Sequence, residues 1–169
     1  MTGKFHIHRG FSEGDRAAIV QLLREYEASL GISLCFQDFE TEVAGLPGAY
    51  GPPRGQMLLL RDAASNDLVG CVAVRTVPDA PDMCEMKRLY LRPAARGGGH
   101  GRKLALAVMD EARQLGYRRI CLDTLLSMQA AQALYRSLGF RELGMTDTEP
   151  PVLLFERELG GDGGRDPSA

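Results

Sequence analysis

A cluster of glycines and basic residues lies near the middle of the chain, and its composition is typical of an anion-binding loop. The cluster consists of Arg96, Gly97, Gly98, Gly99, His100, Gly101 and Arg102, followed by Lys103. Glycines lack the Cβ atoms that would hold an anion away from the backbone N–H groups. A helix that begins at this point adds unpaired amides and the positive end of its dipole. The cluster therefore predicts a site for a diphosphate. We call residues 96–102 the glycine loop.

The elements on either side of the glycine loop place it between a strand and a helix. Residues 84–91 alternate apolar and polar side chains, which is typical of a strand that is buried on at least one face. Pro93 ends this strand. Beyond the loop, apolar residues recur at helical spacing, at Leu104, Val108, Ala112 and Leu115. The loop is thus expected to enter a helix from its N-terminus.

The spacing of the glycines excludes two common phosphate-binding motifs. A P-loop requires a lysine directly after its last glycine, but Arg102 follows Gly101. The dinucleotide pattern G-x-G-x-x-G also fails, because Arg102 or Leu104 occupies its third glycine position. A different class of phosphate binder is needed.

The segment Arg96-Gly97-Gly98-Gly99-His100-Gly101 resembles the R/Q-x-x-G-x-G/A signature of the GNAT superfamily of acyl-CoA-dependent N-acyltransferases. The preceding residues 89–93 are similar to the strand before that signature. Residues 133–140 resemble a later A-x-x-L-Y-x-x-x-G-F block, and the similarity covers residues 84–140 in all. It implies a GNAT-type α/β fold (α+β in some schemes): a mixed, mostly antiparallel sheet flanked by helices, with one parallel strand pair around the loop.

The resemblance also implies acetyl-CoA as the donor. Its pyrophosphate would lie on the amides of residues 97–101, and its pantetheine arm would pair with the backbone of Leu89, Tyr90 and Leu91. A V-shaped gap would open between the central strand and residues 119–124. The family often has an asparagine ahead of its tyrosine helix, where this chain has Met128.

Direct acetyl transfer requires a neutral amine. At pH 7, deprotonation costs about 4.6 kcal/mol for an alkyl amine of pKa near 10.4 and about 1.4 kcal/mol for an α-amine near 8. Glu85 is the predicted base, because strict alternation would place it on the same side as Leu89 and Leu91. Histone-acetylating members of the superfamily carry a glutamate at a similar point. The alternative is that Glu85 forms an ion pair with Lys87 or Arg88.

The leaving thiolate requires a proton, and Tyr135 is the predicted donor. A phenol with a pKa near 10 is a competent acid for a thiol near 8.5. The position of Tyr135 in the A-x-x-L-Y block favours this role. The alternative is an ordinary core aromatic beside Leu134, Leu138 and Phe140.

Five further residues are candidates for contact with the acceptor. Asp123 and Thr124 end the predicted parallel strand, where open α/β sheets present groups to ligands. Lys87 and Arg88 would attract an acceptor carboxylate, or would form a solvated basic face. Phe36 lies in a loop that either shapes a pocket or closes the edge of the domain.

The composition predicts one domain over residues 1–159 and a disordered tail over residues 160–169. The chain has 169 residues, 44% hydrophobic content and a net charge of −2, so no overall field attracts nucleic acid or an anionic membrane. His6 and His8 have no third ligand nearby, and no metal is predicted. Four cysteines without a CxxC pair are expected to be free thiols, which favours a reducing cytoplasm.

The sequence as a whole predicts an N-acetyltransferase that acts on a primary amine of a small molecule by direct transfer. Protein amino groups remain an alternative acceptor, and a non-catalytic acyl-CoA sensor is the alternative class. The final strand, from residue 152 to 159, is expected at the edge of the sheet, where a second copy of the chain could pair with it.

Overall fold

The computed structural model describes residues 3–34 and 37–160, which form a seven-stranded sheet with helices on both faces. The strands are β1 (Phe5–Gly10), β2 (Gln56–Asp62), β3 (Leu68–Val77), β4 (Ala80–Leu91), β5 (Arg119–Leu125), β6 (Arg141–Met145) and β7 (Val152–Glu158). The helices are α1 (Arg16–Ser29), α2 (Phe39–Ala44), α3 (His100–Gln114) and α4 (Gln129–Ser137). Phe36 and Cys35 lie outside the described residues, as does the predicted tail beyond residue 160.

The sheet has the order β1-β2-β3-β4-β5-β7-β6, and β4–β5 is its one parallel pair within the described residues. Helix α3 connects these two strands, as a crossover between parallel neighbours requires. The remaining pairs are antiparallel. The predicted fold class is confirmed. The predicted edge position of the last strand is wrong, because β7 lies between β5 and β6.

Two apolar cores lie on opposite faces of the sheet. On the α3 face, residues of α3 and α4 such as Leu104 and Tyr135 pack with Val72 and Ile120. On the α1 face, the apolar stripe of α1 packs with α2 residues and with Cys71 and Ala73 of β3. The thiols of Cys71 and Cys84 are buried and free, as predicted, and Cys121 is a half-buried free thiol.

A β-bulge interrupts β4 at Arg88. Ala73 of β3 pairs with Lys87 but Cys71 pairs with Tyr90, so β4 carries one extra residue. Arg88 has φ 61°, in the left-handed region. The bulge reverses the alternation of side chains, so that Lys87 and Tyr90 face α1. Glu85 also faces α1, whereas Leu89 and Leu91 pack on the α3 face. The prediction that Glu85 shares a side with these leucines is therefore wrong.

The two parallel strands separate after a short paired segment. Their register runs from Met83–Arg119 to Glu85–Cys121 and then stops, although β4 continues to Leu91 and β5 to Leu125. The centre of the sheet thus opens into a V at the carboxyl ends of both strands, as the family resemblance implied.

Candidate active site

Two glycines of the glycine loop adopt backbone conformations that favour glycine. Gly97 and Gly99 have φ values of 86° and 77°, which side-chain-bearing residues rarely adopt. Gly99 is the N-cap residue of α3, whose first residue is His100. A Cβ atom at Gly97 or Gly99 would meet no described atom within 4 Å. The loop therefore leaves open space in front of the α3 amides, which fits a diphosphate.

The arginines around this space are exposed and partly engaged within the chain. Arg96 donates to the Leu91 carbonyl at 2.9 Å, and Arg102 donates to the Ser137 hydroxyl at 3.0 Å. The His100 ring packs edge-on against Phe5, with centroids 4.8 Å apart. Burial lowers the pKa of His100, and the charge of Lys103 lowers it further. Positive charge is thus present at the loop without a carboxylate partner in the described chain.

A pocket occupies the V between β4 and β5, and residues from both faces of the sheet line it. The lining residues are Tyr26, Leu30, Leu34, Gln37, Met86, Lys87, Arg88, Leu89, Asp123, Thr124, Leu125, Met128, Tyr135 and Val152. The predicted site residues Lys87, Arg88, Leu89, Asp123, Thr124, Met128 and Tyr135 are among them. A molecule that enters between the strands would therefore contact groups on the α1 face and on the α3 face.

Arg88 is a buried cation whose charge is neutralised within the chain. Its guanidinium donates to both carboxylate oxygens of Glu42, at 2.9 and 3.0 Å, and to Gln37 Oε1 at 2.9 Å. Glu42 also accepts from the Tyr50 hydroxyl at 2.8 Å. Burial acts to lower the pKa of Arg88, but these contacts with Glu42 raise it overall. Arg88 fixes α2 and the following turn against the sheet.

Lys87 is also buried, with 6% of its surface exposed. Its ammonium donates to Gln37 Oε1 at 3.0 Å, and in the described chain it has no carboxylate within 4.0 Å. Burial lowers its pKa, although Glu85 and Asp123 act at longer range to raise it. The predicted alternative of a solvated basic face is wrong for both Lys87 and Arg88.

The β5 wall presents two polar side chains to different faces. Asp123 lies on the α1 face, and Thr124 lies on the α3 face with Leu122. Burial raises the pKa of Asp123, while Lys87 acts to lower it. The Thr124 hydroxyl is fully buried and has no hydrogen-bond partner among the described atoms. Neither side chain has a hydrogen-bond partner among the described residues.

Tyr135 reaches the pocket from α4, and its ring belongs to the core of the α3 face. The ring packs against Phe140 and Phe155, with centroids 5.8 and 6.0 Å away. No hydrogen bond of its hydroxyl is found within residues 3–34 and 37–160. Burial raises the pKa of Tyr135, so the phenol stays protonated. The two interpretations of this residue are compatible, because its ring packs in the core and the residue also lines the pocket.

Glu85 lies at the closed end of the V rather than among the lining residues. Its carboxylate pairs with Arg75 of β3, at 3.0 Å from Nε and 2.9 Å from Nη2. An ion pair was one of the two sequence interpretations, but its partner is Arg75 and not Lys87 or Arg88. Glu85 nevertheless shares the α1 face with Lys87 and Asp123.

Tyr90 and Leu91, which were predicted to pair with the pantetheine arm, lie on β4 after the bulge. The side chains of Tyr90 and Leu91 do not line the pocket. Tyr90 packs edge-on against Tyr26, with centroids 5.9 Å apart. Leu91 packs on the α3 face, near the glycine loop. Backbone pairing links both residues to β3, so their other strand edge faces the opening.

Sequence reasoning missed seven of the lining residues, and two of these, Tyr26 and Gln37, carry polar groups. Tyr26 lies on the apolar stripe of α1, where it is indistinguishable from a core residue. Gln37 contacts both cations of β4, but it is 50 residues from Lys87 along the chain. No spacing rule connects residues so far apart.

A splayed parallel strand pair beside a glycine loop, with a tyrosine lining the opening, is the arrangement of an acyl-CoA-dependent acyltransferase. Residues 17–140 match the acetyltransferase (GNAT) family, and the chain belongs to that family. It is accordingly an acyltransferase, with acetyl-CoA as its co-substrate.

Individual relatives agree with this assignment. The chain is 42% identical over 120 residues to an uncharacterized N-acetyltransferase of Schizosaccharomyces pombe, covering 71% of this chain and 72% of the relative. It is 44% identical over 131 residues to the uncharacterized N-acetyltransferase YjgM of Escherichia coli, covering 76% and 78%. The structure of yncA from Salmonella typhimurium with its cofactor acetyl-CoA superposes with a TM-score of 0.69 at 19% identity, covering 98% and 99%.

Within residues 3–34 and 37–160, no helix has both the length and the apolar composition that a membrane crossing requires.

Proposed function

We propose that this protein transfers the acetyl group of acetyl-CoA directly to a primary amine of a small molecule within a ternary complex. The observation that carries the proposal is the pocket in the V, which Tyr135 and Asp123 both line from opposite faces of the sheet. The residues of the glycine loop would hold the diphosphate of the donor.

In the proposed reaction, the amine nitrogen attacks the thioester carbonyl carbon. A C–N bond forms, the C–S bond breaks, and Tyr135 donates its phenolic proton to the departing thiolate. Glu85 is the proposed acceptor of the amine proton. Because Glu85 is held by Arg75 and does not line the pocket, the proton would reach it through solvent. Tyr135 then regains a proton from solvent.

The binding residues have separate proposed roles. The backbone edge of Leu89, Tyr90 and Leu91 that faces the opening would pair with the pantetheine arm. Met128 provides an apolar contact at the position where the family often has asparagine. We further propose that the enzyme acts in the cytoplasm, as its free thiols predict.

The test is an assay of the protein with acetyl-CoA and a panel of acceptors, in which the released CoA thiol is detected. The panel contains small amines and peptides with a free amino terminus. An acetyltransferase of small amines releases thiol with at least one small amine and forms one N-acetyl product per thiol. Binding of acetyl-CoA without thiol release across the panel would instead identify a non-catalytic sensor. Release with peptides alone would identify a protein amino-group acetyltransferase.

A further inference from the structure

We infer that the acceptor carries a carboxylate next to its amine, as an α-amino acid does, and that Lys87 binds the carboxylate while Asp123 holds the ammonium. This inference rests on the proposed function and specifies the acceptor class. It starts from the position of two oppositely charged side chains on the two walls of the V.

Register places Lys87 and Asp123 opposite each other across the opening. The last pair of the parallel register is Glu85–Cys121, and each charged residue follows two positions later on its own strand. Both face α1, and both line the pocket. The described chain shows no ion pair between them within 4.0 Å, so the separated strands keep the two charges apart. A ligand with both charges fits between them.

Lys87 lacks the neutralisation that its neighbour has. Arg88 is paired with both oxygens of Glu42, whereas the Lys87 ammonium makes one hydrogen bond to an uncharged amide in the described chain. An ammonium has three donors, so two remain for a ligand. A buried cation without a counterion is unfavourable, and an anionic group of the ligand would compensate it.

In the described chain, the Asp123 carboxylate lacks a positively charged partner, just as the Lys87 ammonium lacks a negatively charged one. Its side chain makes no hydrogen bond within residues 3–34 and 37–160, and its half-buried carboxylate accepts readily from an ammonium. Burial is the largest cause of the raised pKa of Tyr135, and the electrostatic effects of Tyr26 and then of Asp123 add to it. The Tyr135 ring packs against Phe155 of β7, whose register partner on β5 is Leu122, so the wall that carries Asp123 lies on the side of Tyr135. The amine of the acceptor would therefore be the end near the thioester.

The experiment compares α-amino acids with their amides, which keep the amine but lose the negative charge. With the full chain and acetyl-CoA, the preferred amino acid should have a kcat/KM at least 10-fold above that of its amide. Lys87→Met should lower the value for the acid by about 10- to 100-fold and leave the amide nearly unchanged. Lys87→Arg should retain the preference, and Arg113→Met on α3 serves as a control that removes a cation outside the pocket. Asp123→Asn should lower the values for both substrates.

Calorimetric binding of acid and amide to the CoA-loaded protein provides the same comparison without turnover. Equal use or equal binding of acid and amide by the wild type would overturn the acceptor inference, as would an equal loss of both in Lys87→Met. Selective binding of the acid without thiol release from any amine would support the inference and overturn the proposed function alone.

Discussion

The proton-donor role of Tyr135 leads to the most direct prediction. Tyr135→Phe removes one oxygen and keeps the ring between Phe140 and Phe155. The wild-type hydroxyl has no hydrogen-bond partner in the described chain, so its loss leaves no buried polar group unsatisfied. We expect the free energy of unfolding to change by less than about 0.5 kcal/mol. Acetyl-CoA affinity should also be retained, because the glycine loop is unchanged.

The rate should respond very differently. General-acid catalysis contributes about 10²- to 10⁴-fold, or about 2.7 to 5.4 kcal/mol of transition-state stabilisation, and kcat should fall by that factor. Stopped assays of N-acetyl product at saturating acetyl-CoA measure the effect. Because burial raises the pKa of Tyr135, the wild-type rate should lose its acid only above the ordinary phenol pKa of 10.

Tyr117→Phe is the matched control for loss of a buried phenol. Its hydroxyl donates to the Arg54 carbonyl at 2.6 Å, away from the residues that line the pocket. This variant should lose about 1 kcal/mol of stability and keep its kcat. A kcat for Tyr135→Phe within threefold of the wild type would refute the general-acid role and leave Tyr135 as a core residue.

Three further predictions concern the glycine loop and the buried charges. Gly99→Val should weaken acetyl-CoA binding at least 10-fold by calorimetry, whereas Gly144→Val, at a similarly positive φ on β6, should leave affinity unchanged. Glu42→Gln should lower the free energy of unfolding by about 3 to 5 kcal/mol, because it leaves the buried Arg88 guanidinium without its counterion. Glu40→Gln, at an exposed position on the same helix, should change the denaturant midpoint little. Equal effects of the two substitutions would contradict the argument. Lys87→Met should stabilise the protein at pH 7, because burial lowers the pKa of Lys87 and the folded state therefore binds fewer protons than the unfolded state. The stability of the wild type should rise with pH between the lowered pKa and 10.5. Above pH 10.5 the advantage of the variant should disappear.

The elements around the glycine loop were predictable because their signals are local. Alternation in β4, the glycines and the helical stripe of α3 each lie within a dozen residues or so, and the structure has all three. The parallel pairing of β4 and β5 followed from the helix between them. Local pattern and topology rules were sufficient for this part of the fold.

The pairing of buried charges was not predictable in the same way. The bulge at Arg88 needs one residue at positive φ, and arginine gives no signal for that conformation. Its effect on alternation explains the wrong side assigned to Glu85. The partners Glu42 and Arg75 come from other elements, and Glu42 is 46 residues from Arg88. Such contacts depend on how α2 and β3 pack, which the spacing of one segment does not encode.

The short parallel register has a consequence for the mechanics of the protein. Backbone pairing joins the half-sheet β1–β4 to the half-sheet of β5, β7 and β6 through three residue pairs, from Met83–Arg119 to Glu85–Cys121. Beyond them, the facing edges of both strands are left for an extended ligand that can pair with backbone. A bound pantetheine arm would act as a substitute strand along this seam. The stiffness of the whole sheet would then rise and fall with each catalytic cycle, as substrate enters and product leaves.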